Sequence, residues 1–329
     1  MKTRKLGRNG PTVSALGYGA MSFTNFYGPA TDEGSMAILD ECTELGITHI
    51  DTSNVYGMGR SETVIGAWLR QRGGEPPFAI ATKVGITADP DQRFNNDPSH
   101  MRGALDASLT RLGVEAIDLY YVHRRDQRFE IEEVAETMAS FVKEGKVKAV
   151  GWSEIAPSSL RRAHAVHPVA AVQSEYSLST RAPELGLIQT CAELGAALVA
   201  FSPVGRALLT DRPHSAESVA DLPFLKVNPR FIEPNLGANL EYNARFRELA
   251  ADLGVAAASL AIAWVLQRGD HVHAIPGTRS IAHLRELAAG ADLELSAETL
   301  ARIDAVLPVG WAHGDRYSVA QWAGPECYC

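Results

Sequence analysis

Eight short β-rich runs alternate with amphipathic stretches along nearly the whole chain, and this rhythm limits the possible folds more than any other feature. The runs occupy residues 15–21, 47–51, 78–84, 117–123, 147–153, 169–174, 196–203 and 271–276. Between them lie helical stripes with clear ends. Asp97-Pro98 supplies a cap and a first-turn proline before Met101, Leu105, Leu109 and Leu112, and Gly113 stops the pattern. Ile131, Val134, Met138, Phe141 and Val142 form a second stripe ended by Gly145, and Phe246, Leu249 and Leu253 a third stopped by Gly254. Ser296 is the expected N-cap of the last helix. An N-terminal hairpin is expected before the first run, turning at Arg8-Asn9-Gly10.

Strands that alternate with crossover helices make a parallel sheet, either closed as a (β/α)₈ barrel or open and doubly wound. An open dinucleotide-binding sheet wants Gly-x-Gly-x-x-Gly after its first strand. The nearest approach, Gly57-Met58-Gly59-Arg60-Ser61-Glu62, lacks the third glycine and reads as a tight turn capping a helix. The count of eight therefore predicts an α/β (TIM) barrel spanning residues 1–329 as one domain, a size this architecture reaches alone. Two segments break the rhythm. The stretch between Pro203 and Asn239 is long for a loop and reads as a lid, and the tail after Pro308 is irregular and aromatic.

Composition narrows the partners. Thirty-one Lys and Arg against 39 Asp and Glu give a net charge of −8, which argues against nucleic acid. The longest apolar run, residues 255–266, is too short for a membrane segment. The N-terminus shows no secretory pattern, and the cysteines carry no metal-ligand spacing. A reduced, cytoplasmic protein without a metal is expected, with its oligomeric state open; Cys327 and Cys329 near the C-terminus have no reading.

In such a barrel, reactive groups collect at the C-terminal ends of the strands. Asp51 closes one run and Tyr56 follows it; Lys83 and His123 close the next two. Taken singly, each has a structural explanation. Four at one rim suggest chemistry. An ammonium beside a phenol favours phenolate, so Lys83, held charged by Asp51, is expected to lower the Tyr56 pKa toward a useful range. His123 then donates to, or orients, a carbonyl oxygen. The product is a site that protonates an oxyanion as a hydride arrives at carbon.

With those residues in place, the sequence resembles the aldo-keto reductases from Leu6-Gly7 to about Asp304. The matching pieces include Gly17-Tyr18-Gly19-Ala20-Met21, Asp51-Thr52-Ser53-Asn54-Val55-Tyr56-Gly57, Ala81-Thr82-Lys83-Val84, Leu119-Tyr120-Tyr121-Val122-His123, Gly151-Trp152-Ser153-Glu154, Val172-Gln173-Ser174-Glu175-Tyr176 and Ile275-Pro276-Gly277-Thr278-Arg279. The resemblance implies Tyr56 as general acid, Lys83 and Asp51 as its tuning pair, His123 as the orienting residue, and NADPH lying over the barrel mouth, with NADH less favoured. It implies Ser153 and Gln173 at the carboxamide, Phe201 stacked on the nicotinamide, and Ser202, Pro203, Val204, Gly205 and Arg206 in a strap over the pyrophosphate. Thr278 and Arg279 would take the 2′-phosphate, with Met21, Pro276 and Glu286 also lining the cofactor. Two positions depart from the family pattern: Glu154 stands where Asn is common and is expected to turn away, and Leu287 replaces an adenine-binding Asn. Phe23, Phe26, Tyr27, Arg124, Trp311 and Tyr317 are candidates for the substrate pocket.

The implied function is NADPH-dependent reduction of a small aldehyde or ketone. Two alternatives compete with it: a cofactor-binding redox-sensing subunit of a membrane channel, and an aldolase using Lys83 as Schiff base.

Overall fold

The computed structural model describes residues 1–328, so Cys329 lies outside the described residues, while Cys327 is exposed. A short antiparallel hairpin, β1 (Thr3–Lys5) and β2 (Thr12–Ser14), precedes eight parallel strands. These are β3 (Tyr18–Gly19), β4 (His49–Asp51), β5 (Ala79–Val84), β6 (Leu119–Val122), β7 (Val150–Ser153), β8 (Val169–Glu175), β9 (Ala197–Phe201) and β10 (Val272–Ala274), paired in that order. All eight lie inside or within a residue of the runs expected from sequence. The ring closes where Leu16 bridges Ala274 in parallel. The Gly17 N–H donates to the Ala274 carbonyl (2.8 Å) and the Gly19 N–H to that of Pro276 (2.9 Å). The fold is the closed (β/α)₈ barrel, not the open sheet.

The crossover helices are α1 (Asp32–Glu44), α2 (Arg60–Arg72), α3 (Pro98–Leu112), α4 (Ile131–Lys143), α5 (Pro157–Val166) and α6 (Leu187–Leu194). Their ends obey local chemistry. Asp97 accepts from the N–H groups of Ser99 and His100, and Gly113 leaves α3 in the left-handed region at φ 71°. At the start of α2, Gly57 and Gly59 hold positive φ, and even Met58 adopts φ 55°, so this segment is a tight turn and not a phosphate loop.

The stretch after β9 is not the open loop its composition suggests. It carries α7 (Ala216–Ala220) and a 3₁₀ turn (Pro229–Phe231) before α8 (Asn235–Asp252) and α9 (Ala257–Leu266). Leu208, Leu209, Leu225 and Phe231 anchor it in the core. After β10 come α10 (Ile281–Ala289) and α11 (Ala297–Val306), the latter capped by Ser296 as expected. Leu287 faces the core from α10. Among the described residues, no single helix is long and apolar enough to cross a membrane.

Two layers of packing hold the ring. Outside, the strands bury Trp152, Tyr120 and Val172 against the helices. Inside, small side chains (Ala81, Ala149, Ala171, Ala197) leave room for Leu6 and Val13, so the hairpin plugs the floor. The hairpin is tied there by the Lys5 carbonyl, 3.1 Å from His273 Nε2.

Candidate active site

Strand register sets the rim. Asp51 on β4 pairs with Ala81 on β5; two residues on, Lys83 pairs with Tyr121 on β6, which pairs with Gly151 on β7; Ser153 pairs with Gln173 on β8. Alternation places Lys83 in the barrel interior, where its side chain is fully buried. The Tyr121 ring crosses the space where Gly151 would carry a Cβ, since that atom would sit 2.5 Å from the ring. Only glycine allows Tyr121 to roof Lys83, whose nitrogen lies 5.9 Å from the ring centroid.

The four rim residues converge. Lys83 Nζ pairs with Asp51 Oδ1, donates to the Thr52 carbonyl at 2.8 Å and reaches the Tyr56 hydroxyl at 3.4 Å. Tyr56 is half-buried at the start of the turn into α2, so its ring is fixed from below by Lys83, 5.0 Å from its centroid. The His123 ring stands edge-on to Tyr56 with centroids 5.9 Å apart, and its Nδ1 lies 3.2 Å from the Ser53 hydroxyl. Ser53 was not singled out in the sequence, although it sits three residues before Tyr56.

Electrostatics here correct one expectation. Burial raises the Tyr56 phenol above its ordinary value, Lys83 pulls it down, and Asp51 pushes it up; the net displacement is upward. The phenol is therefore firmly protonated, and the Lys83 ammonium lowers the cost that a phenolate would carry there. Burial opposes the Lys83 ammonium, but Asp51 and Tyr56 outweigh it and hold the amine charged. Burial, with the charges of Arg124 and Lys83, drives the His123 imidazole well below its usual range, so this ring is neutral at pH 7.

Of the residues expected on the cofactor side, Ser153, Gln173 and Phe201 lie toward the C-terminal ends of β7, β8 and β9. The Gln173 amide donates to Asp51 Oδ2 (2.7 Å), and the Ser153 hydroxyl accepts from Arg124 (3.0 Å). Phe201 ends β9 half-buried. From there Ser202, Pro203, Val204 and Gly205 wind through consecutive turns, with Ser202 at φ 50°, Arg206 at φ 55° and Ala207 at φ 71°. Three non-glycine residues in the left-handed region within six positions mark a strained segment. Met21 lies half-buried in the 3₁₀ turn after β3, and the Thr278 carbonyl accepts from the buried Tyr18 hydroxyl (2.6 Å). Arg279 is exposed at the N-terminal end of α10, its fork donating to the carbonyls of Tyr27 and Pro29 (2.7 and 2.5 Å). Glu286 is half-buried on α10.

Comparison with known proteins settles the family. A model of the Aldo/keto reductase family matches residues 15–308. The chain belongs to the aldo/keto reductase family. The aldo-keto reductase yakc [NADP(+)] of Schizosaccharomyces pombe is 36% identical over 321 residues, covering 96% of this chain and 94% of that protein. A probable aldo-keto reductase of Glycine max is 40% identical over 316 residues, covering 95% and 91%. Among solved structures, the glycerol dehydrogenase of Gluconobacter oxydans superposes with a TM-score of 0.81 at 25% identity, covering 93% of this chain and 94% of that one. The holo form of an aldo-keto reductase of Bacillus halodurans gives 0.76 at 25% identity, with coverage of 93% and 96%.

This aldo/keto reductase also carries an ionic cluster that its sequence did not disclose. Arg206, expected in the strap, turns its guanidinium inward onto Glu175, where the side chain is only 3% exposed. Glu154 indeed turns from Ser153 and Gln173: its carboxylate accepts from the Glu175 N–H (2.7 Å) and Ser174 hydroxyl (3.1 Å) and pairs with Arg316 of the C-terminal tail. Arg316 bridges to Glu175 as well (3.4 Å). Phe26, Tyr27, Phe224 and Tyr317 gather around Arg206, whose guanidinium lies 5.4 Å from the ring centroids of both Phe224 and Tyr317. Two pocket candidates lie elsewhere. Phe23 is buried against Tyr18, and Trp311 is buried with its indole N–H on the Leu178 carbonyl (2.8 Å).

Proposed function

We propose that this enzyme reduces an aldehyde or ketone with NADPH, using Tyr56 as the proton donor. The observation that carries the reading is the Tyr56 hydroxyl set 3.4 Å from a buried ammonium that Asp51 keeps charged. NADPH, when bound, supplies the hydride. Tyr56 gives its proton to the carbonyl oxygen as negative charge develops there, and Lys83 stabilises the resulting phenolate. His123, neutral and engaged by Ser53 at Nδ1, has its other ring nitrogen available to orient that oxygen.

The residues present fit the cofactor. Arg279 is an exposed guanidinium bonded only to carbonyl oxygens, beside the first turn of α10, an arrangement suited to a phosphate dianion. That favours NADPH over NADH, in keeping with the NADP(+) of the Schizosaccharomyces pombe relative's name. Gln173 and Ser153 present amide and hydroxyl groups beside Asp51 and Arg124 at the carboxamide end. In the strap, the backbone of Ser202 to Gly205 carries the pyrophosphate role and Arg206 braces it from within. Neither alternative gains support. A Schiff-base lysine must be neutral to attack, whereas Lys83 is ion-paired and its pKa is raised.

The test is a panel of aldehydes and ketones followed at the NADPH absorbance band, with NADH as control. Tyr56→Phe is expected to lower kcat by roughly 10²–10⁴ while NADPH still binds, as read by fluorescence titration. Near-full turnover by that variant would refute the assignment.

A further inference from the structure

Arginines around the barrel mouth divide into two kinds. Arg206 and Arg316 face Glu175 and Glu154, Arg125 pairs with Glu326 (2.7 Å), and Arg128 pairs with Asp126. Arg124 differs. Its Nη1 donates to the His123 carbonyl (2.6 Å) and the Ser153 hydroxyl (3.0 Å), and among the described residues no carboxylate lies within ion-pair distance. The carboxylates of this rim are already committed: Asp51 to Lys83 and Gln173, Glu154 to Arg316, Glu175 to Arg206. Arg230, whose guanidinium also has a neutral partner in Thr180, is enclosed near Glu175 and is 6% exposed.

The position of Arg124 is fixed by what surrounds it. Its carbonyl accepts from Asn96 (3.2 Å), and its stem lies under Gly324 of the tail, where an added Cβ would come within 2.9 Å of Cδ. Its head therefore stays half-buried at the end of β6, next to the residue that orients the carbonyl. A partly desolvated cation supplied, among the described residues, only with neutral acceptors is a site awaiting an anion. Arg279, whose partners are also carbonyls alone, is the corresponding feature at the other end of the mouth, where the cofactor phosphate belongs.

We infer that Arg124 binds a carboxylate on the substrate, so that the preferred substrates are aldehyde or keto acids. This rests on the reductase reading above and adds the substrate class to it. A charge-assisted pair in a half-buried setting corresponds to about tenfold or more in kcat/KM.

The experiment compares 4-carboxybenzaldehyde with its methyl ester, followed by NADPH oxidation. Wild type is expected to favour the acid by about tenfold or more in kcat/KM. In Arg124→Met the acid-to-ester ratio falls to near one, and Arg124→Lys keeps part of it. A wild-type ratio near one, or a Met variant that depresses acid and ester by the same factor, overturns the inference; the latter would make Arg124 a brace for His123 and Ser153. Turnover of neither aldehyde, nor of any carbonyl in the wider panel, would instead bring down the reductase reading, and this inference with it.

Discussion

Two influences of opposite sign meet at the Tyr56 hydroxyl: the buried setting disfavours phenolate, and the Lys83 ammonium favours it. Because burial is the larger, the phenol remains protonated beyond the ordinary tyrosine range of about 10. In the proposed mechanism carbonyl reduction consumes that proton, so its rate is lost only as pH rises through the phenol's pKa. On the acid side, the His123 pKa lies well below its usual value, and the ring does not change charge as pH falls toward 6. The kcat/KM for reduction is therefore expected to be flat from about pH 6 to pH 9, while alcohol oxidation, which needs the phenolate, rises with pH over the same span. A bell centred near neutrality would contradict this assignment. These residues were legible in the sequence because each ends or follows a strand run whose direction is fixed by the alternating pattern. The direction of the phenol shift was not legible, since it depends on how deeply the folded rim buries Tyr56 itself, an effect that outweighs the pull of Lys83.

Among the elements, the eight strands and the capped helices were readable because periodicity and end signals act over a few residues. The stretch after β9 and the C-terminal tail were not, because their partners are remote in sequence: Glu154 meets Arg316 across 162 positions. The tail is secured twice over, by that pair and by Glu326, which accepts from the Ala156 N–H (2.8 Å) at the start of α5 while its own N–H donates to the Glu154 carbonyl (2.9 Å). Glu154, a departure from the family's common Asn, is thus explained by the arginine that arrives to meet it. Arg316→Met leaves a buried carboxylate without its cation, and is expected to cost roughly 3 kcal/mol in urea denaturation. Adding Glu154→Gln to that variant should recover part of the loss, whereas additive losses would show that the two side chains are not coupled.

The whole molecule has its acid sensitivity built into the barrel floor. His49 and His273 are buried neutral, each with a pKa pushed down to about 4 by burial. Their contribution is complete above the unfolded value of about 6.5 and is lost progressively as pH falls toward 4, because the unfolded chain takes up the protons first. Each ring corresponds to roughly 3 kcal/mol over that window. Urea midpoints are expected to drop between pH 6.5 and pH 5, before most carboxylates titrate, and a midpoint constant across that range would count against it. The closing strand β3 spans just two residues within the run 15–21, so the sequence marks the strand but not its seam with β10, which joins residues remote along the chain.

That closure joins Leu16 to Ala274, segments from opposite ends of the polypeptide. Across that seam Tyr18 meets Thr278, and Arg279 reaches the carbonyls of Tyr27 and Pro29, so the two ends of the chain build this part of the mouth together. A protein truncated before β10 therefore loses the strand that pairs with β9 and bridges Leu16, and with it Thr278 and Arg279, in a single cut.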